Sequence, residues 1–212
     1  MSATPGQLKA KVAELFKLPA NAVDYPWRVL REAGFVTKGG RGASAAKVTP
    51  HDAAFLLIAV AGPLPAADVL TSALRYGGLP LRDSSVEGPD LPEVIASADT
   101  FVDGLAGLIA AAGDGTLEEY RAAIVRKPES DPRVPGHFGI EVTLYGAYPQ
   151  AGFRVYGSNG RAERHYSALP TDLDALQSWE TTQPGDDSDL STVNRFSGRT
   201  IRALGQLIGS AK

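Results

Sequence analysis

Residues 137–169 read HFGIEVTLYGAYPQAGFRVYGSNGRAERHYSAL, and here the chain changes its period. Phe138, Ile140, Val142 and Leu144 fall on alternate positions, followed by "FRVY" (153–156) and "RAERHYSA" (161–168). A period of two puts every second side chain on one face of a strand. Asn159-Gly160 is a strong short-range hairpin signal. The stretch predicts a small meander of about three antiparallel strands, with Asn-Gly joining the last two. Phe138, Tyr145, Phe153 and Tyr156 are expected to form its packed face; stacking on single-stranded bases is the lesser alternative.

Upstream, the apolar spacing is helical. Pro5 opens a helix with Leu8, Val12, Leu15 and Phe16 on one face, and Pro19 fits the first turn of a short second one. Asp24 is expected to cap the next helix, which points Trp27 and Leu30 inward and ends at Gly34. Thr49-Pro50 starts another, with Thr49 as cap and Asp52 in the first turn. Its Ala53, Phe55, Leu56, Leu57, Ile58 and Val60 are apolar nearly all round, so it should be buried. Residues 65–76 place Val69, Leu70, Ala73 and Leu74 inward, closing at Gly77-Gly78. A Ser-, Pro- and Gly-rich loop follows, and then 90–112 carry Leu91, Val94, Ile95, Phe101, Leu105, Leu108 and Ala112 at helical spacing. Thr116 and Glu119 form a capping-box pattern.

Downstream of the meander, 171–189 is acidic and polar and reads as an exposed connection. Residues 191–208 place Phe196, Ile201, Leu204, Leu207 and Ile208 near one face, as a closing or dimerisation helix. The expected class is therefore α+β and mainly helical. An N-terminal winged-helix-like domain (1–62) precedes a helical body (63–212) with a small antiparallel β-meander and a C-terminal helix.

Composition removes several chemistries. The chain has no cysteine among its 212 residues, which excludes disulfides and thiolate metal sites. His51, His137 and His165 lack metal spacing, and no cofactor is expected. "KGGRGASAAK" lacks the GK[ST] ending of a phosphate loop, and the adjacent acidic pairs Glu118-Glu119 and Asp186-Asp187 cannot share a helix face. No catalytic constellation emerges, so the chain is read as a non-enzyme. The best apolar run, 53–61, is far shorter than the roughly 20 residues a bilayer helix needs. With no signal-peptide pattern at the start, a cytoplasmic location is expected.

Charge is uneven. Residues 1–50 hold eight basic and three acidic side chains, net +5, whereas the remainder carries −8. The positive part surrounds "YPWRVLREAGFVTKGGRGASAAKVT" (25–49): a helix with Arg28 and Arg31 three apart, "FVT", a glycine-rich cationic tip, and "KVT". Arg28 and Arg31 can also be a solvated helix face, and "KGGRG" a linker. Trp27 reads as a core anchor.

This segment resembles the winged helix-turn-helix family, with "RVLREAGFV" (28–36) similar to the end of a recognition helix and the entry to a wing. It is also similar to the starts of uncharacterised alphaproteobacterial prophage and gene-transfer-agent proteins. The resemblance implies that Tyr25, Arg28 and Arg31 contact bases or phosphate. It implies that Lys38, Gly39, Gly40 and Arg41 follow the backbone from the wing, with Lys47 beside them. The expected function is sequence-specific binding of double-stranded DNA as a transcriptional regulator. A homodimer would read paired half-sites, and the C-terminal body could take a protein partner. The alternative is a phage-associated adaptor or structural protein-interaction module.

Overall fold

A computed structural model of the chain describes residues 3–38, 47–64, 67–125, 137–146, 148–170 and 192–209. The α-helices are α1 (Pro5–Phe16), α2 (Asp24–Ala33), α3 (Pro50–Ala61), α4 (Val69–Gly77), α5 (Glu93–Ala96), α6 (Phe101–Asp114), α7 (Thr116–Ile124) and α8 (Gly198–Gly209), with a short 3₁₀ turn at Ala20–Ala22. The strands are β1 (Leu81–Glu87), β2 (Phe138–Tyr145), β3 (Gln150–Gly157), β4 (Gly160–Ser167) and β5 (Val193–Ser197). They form one antiparallel sheet in the order β1-β4-β3-β2-β5. The chain is mainly helical, with a multi-stranded sheet and a C-terminal helix.

The meander at 138–167 forms as its alternation predicts. Val142 lies opposite Phe153 and Phe153 opposite Arg164, which puts Ile140, Val142, Leu144, Ala151, Phe153, Val155, Ala162 and Tyr166 on one buried face. The hairpin loop differs by one residue from its expected position. Gly157 pairs with Gly160, so Ser158 and Asn159 are the turn residues, and Gly160 takes the φ of +155°. Two strands depart from expectation: β1 lies in the stretch expected as loop, and β5 in the stretch expected as part of the final helix.

α6 joins the sheet to the other helices. Thr100 caps it, and it buries Phe101, Leu105, Leu108, Ile109 and Ala111. Gly104 allows it to lie on the sheet, because a Cβ there would sit 2.4 Å from the Tyr166 hydroxyl. On its other flank, Gly205 of α8 comes so close that a Cβ would be 2.6 Å from the Cβ of Ala112. α3 packs behind α6, α2 and α4 pack on α3, and α1 lies against α8. The buried side chains from Ala3 to Leu204 belong to one cluster that includes residues on both sides of Gly62. Trp27, 5% exposed, is one of them, as expected.

Local signals fared unevenly. Thr49 and Asp52 form a full capping box at α3, and Gly34 ends α2 in the left-handed region (φ 86°). Asp24 caps nothing; it sits in the first turn of α2 and pairs with Lys9. Thr116 bonds Asp114 instead of closing a box with Glu119, and Gly115 is the N-cap of α7. Leu70, Leu74 and Val94, expected inside, are exposed.

The winged-helix assignment is overturned. The described part of residues 5–61 contains helices and no strand, and the sheet lies downstream, between 81 and 197. The two expected wing strands spend their backbone donors elsewhere. The Thr37 N–H donates to the Asp52 carboxylate of α3 at 2.7 Å and the Val48 N–H to the Ala3 carbonyl, just before α1, at 3.0 Å, so neither bond joins one segment to the other. The likeness to winged helix-turn-helix and prophage proteins falls with the wing, as does the DNA-binding label attached to it.

Candidate functional site

α2 presents Tyr25, Arg28 and Arg31 to solvent, and all three line one shallow groove with Lys9, Asn21 and Asp24. The Arg28 guanidinium lies 5.6 Å from the centre of the Tyr25 ring, and the Lys9–Asp24 ion pair neutralises part of the groove. Lys38 and Lys47 are exposed and outside any helix or strand. Gly39, Gly40 and Arg41 lie outside the described residues. Of the expected contact residues, the groove therefore brings together the three on α2, and no strand lies beside them among the described residues.

The other face of the sheet has a different character. The helices that touch the sheet use the apolar face, through Gly104 against Phe153 and Tyr166, and Gly198 against Ile140. The opposite alternation therefore carries the polar set. Glu141, Thr143 and Tyr145 come from β2, Gly152 and Arg154 from β3, Glu163 and His165 from β4, and Arg195 from β5. They line a cavity of about 240 Å³. Register explains its shape: His165, Gly152, Thr143 and Arg195 fall in one row across four strands. Gly152 leaves a gap in the middle of that row. It is also closely packed from behind, since a Cβ there would be 2.7 Å from the Arg164 carbonyl.

Two kinds of side chain surround the gap. Some are already engaged. Arg154 pairs with Glu163, Arg161 reaches Glu163 at 3.6 Å and Glu87 at 3.8 Å, and Tyr145 stacks on His165 with ring centres 6.4 Å apart. Others are not. Glu141 and Arg195 have no ion pair among the described residues, although they lie diagonally across the β2–β5 ladder, flanking Thr143. Thr143 is 8% exposed, and its hydroxyl has no hydrogen-bond partner among the described residues. Its side chain lines the cavity, so a group entering there can bond the hydroxyl.

Other polar sites have structural roles. Arg164, 5% exposed on the helix side, donates to the carbonyls of Ala96 (2.8 Å) and Ala98 (2.6 Å) and to the Tyr166 hydroxyl (3.1 Å). It fastens the C-terminal end of α5 to the sheet. His51 meets Asp103 at 3.0 Å, linking α3 to α6. Burial acts to raise the Asp103 carboxyl, but hydrogen bonds from Thr100 and His51 outweigh it and hold the group below its ordinary value. Burial pushes the phenols of Tyr76, Tyr120 and Tyr166 up. Among the described residues no group of three or more acidic or histidine side chains could hold a metal. No described helix is long and apolar enough to cross a membrane.

Sequence reasoning missed this face because attention went to the apolar half of the alternation. Tyr145 and Tyr156 were assigned to the packed face, yet they project with the polar set, opposite Phe138 and Phe153. The signal available was Glu141-x-Thr143-x-Tyr145 facing Arg154 and Glu163, an ordered polar period of two. Arg195 gave none, because β5 was read as helix.

Fold and face define a class: a mainly helical α+β protein in which helices back one side of a five-stranded antiparallel sheet and a polar cavity opens on the other. No protein-family model, no curated protein and no solved structure matches the chain.

Proposed function

We propose that the chain is a recognition module without enzymatic activity that takes its partner on the polar face of the sheet. This keeps the interaction-module reading of the sequence and moves the site from the N-terminal helices to β2–β5. One observation carries it: the cavity over Gly152 is ringed by charged and polar groups, three of which (Glu141, Thr143 and Arg195) have no partner among the described residues. Surface charge is ordinarily scattered, whereas convergent unspent groups around a concavity mark a binding site. Residues that only solvate a sheet would be expected to pair across strands, as Arg154 and Glu163 do.

The test is amide chemical-shift mapping of the full chain against a library of small polar compounds, with random duplex and single-stranded DNA as separate arms. The expected result is perturbation centred on Thr143, Gly152, His165 and Arg195. Perturbation centred instead on Tyr25, Arg28 and Arg31 would move the site to the α2 groove and overturn the proposal. A homodimer was expected on the strength of paired duplex half-sites; the sheet-face reading needs one copy only.

A further inference from the structure

The charges around the cavity specify more than its location. We infer that it binds a compact zwitterion of the free α-amino acid class, with Arg195 and Thr143 taking the carboxylate and Glu141 the ammonium group. This rests on the sheet face being the binding site.

Arg154 lies between two glutamates by register, opposite Glu141 on β2 and Glu163 on β4, but among the described residues it pairs with Glu163 and not with Glu141. Arg161 also turns to Glu163. Two arginines therefore turn to Glu163, Arg161 reaching Glu87 as well, and Glu141 has no ion pair among the described residues. At the β5 edge Arg195 likewise has no ion pair among the described residues. An anionic ligand alone would satisfy Arg195 while lying beside Glu141, and a cation alone would meet the reverse problem. A ligand carrying both charges a few bonds apart satisfies both. Opposite charges several ångströms apart, held by adjacent antiparallel strands and not joined to each other, suit such a molecule.

Thr143 adds direction. Directly opposite Arg195 in the β2–β5 register and lining the same cavity, it offers a hydroxyl without a partner among the described residues, so a carboxylate could accept from both side chains. Glu141 is two residues away on the same strand and the same face, next to Ser197. Size sets the upper limit. At about 240 Å³ the cavity is smaller than the roughly 300–1,000 Å³ of drug-sized sites, so it suits a ligand of few heavy atoms. The stacked Tyr145 and His165 rings close the side of the cavity away from Glu141 and present a flat surface to the ligand's side chain.

The experiment is a thermal-shift and amide-mapping titration of the full chain with four probe sets. They are the free amino acids, their N-acetyl derivatives (carboxylate only), their amides (ammonium only) and inorganic phosphate. At least one free amino acid is expected to raise the melting temperature and perturb Thr143, Gly152 and Arg195, with both blocked forms about 10-fold weaker or more, as expected for loss of a charge-assisted contact. R195Q should abolish the carboxylate contribution. T143V, nearly isosteric and exposing no new polar group, should weaken binding several-fold while leaving the melting temperature of the free protein intact. E141Q should equalise free amino acids and N-acetyl forms. If N-acetyl forms or phosphate bind this face as well as free amino acids do, the zwitterion assignment is overturned while the sheet-face site stands. If every probe leaves the face unperturbed, the ligand class is overturned, and the site itself is then decided by the broader library. If responses ignore R195Q and E141Q, both inferences fall together.

Discussion

Arg164 shows how much one residue decides. Charged side chains are rarely buried without an opposite charge, and Arg164 has no ion pair among the described residues; backbone carbonyls of Ala96 and Ala98 stand in. Those carbonyls lie where α5 ends, and the last carbonyls of a helix need donors in any case. Arg164→Met keeps much of the apolar stem but leaves both acceptors buried and unbonded. The expected loss is about 2–6 kcal/mol, from about 1–3 kcal/mol for each of the two unsatisfied groups, read from the urea midpoint. A loss below about 1 kcal/mol would mean that water replaces the guanidinium and that Arg164 is not the fastener. Asp52 does related work near the N-terminus. Its carboxylate, 2% exposed, accepts from the Thr37 and Thr49 N–H groups, both at 2.7 Å, and from the Thr37 hydroxyl. Asp52→Ala should cost about 2–4 kcal/mol, more than the ~1 kcal/mol of an ordinary cap, because it also frees the segment after α2. Hydrogen exchange at Thr37 should rise in step, and an unchanged rate would refute the link.

At the scale of elements, helix glycines divide into two kinds with opposite signs. Gly205 in α8 meets Ala112 and the Ile109 carbonyl of α6, the latter at 2.7 Å from a notional Cβ. Gly205→Ala should therefore destabilise by about 1–3 kcal/mol through overpacking, despite alanine's better helix propensity. Gly6 in α1 has only the Thr4 hydroxyl, 3.9 Å away, so Gly6→Ala should stabilise by up to about 1 kcal/mol. Thermal melts of the two variants should move in opposite directions; a shared direction would show that propensity and not helix approach governs both. Legibility in the sequence follows the same physics. α1, α3, α6 and β2–β4 were readable because a continuous apolar face sets a period. β1 was not, since Ser84 and Val86, on its helix-side alternation, are as exposed as Ser85 and Glu87 and no alternation is left to see. β5 has five residues with Phe196 as its one buried side chain, too few to show a period. The wing was over-read, since "FVT" and "KVT" have strand-like composition but their partners are Asp52 and Ala3, which no local pattern announces. The candidate site was half legible: its β2–β4 residues sit in the polar phase of a pattern that was found, whereas Arg195 depends on β5.

For the whole molecule, stability against pH follows from groups that tie separate layers together. Asp103 joins α6 to α3 through His51 and caps its own helix through Thr100. Its carboxyl is held below the ordinary carboxylate value, since those hydrogen bonds outweigh the opposing effect of burial. A depressed value means that the unfolded chain binds the proton first as pH falls. The contribution is therefore fully present above the unfolded value of about 4 and disappears as pH drops through the lower folded value. It is modest, because the Asp103 side chain is 44% exposed and solvent screens the pair. The alkaline side has the opposite sign. Tyr76, which donates to the Tyr145 carbonyl at 2.7 Å, and Tyr166, packed between α6 and the sheet, have phenols raised by burial. Their contribution is present below the unfolded value of about 10 and is lost as pH rises beyond it. Urea midpoints measured across pH should thus hold a plateau and fall on both sides. Asp103→Asn should lower the plateau slightly and flatten the acid limb alone, while Tyr76→Phe should flatten the alkaline limb alone. An acid limb that keeps its slope in Asp103→Asn would show that the α3–α6 link is not what the proton breaks.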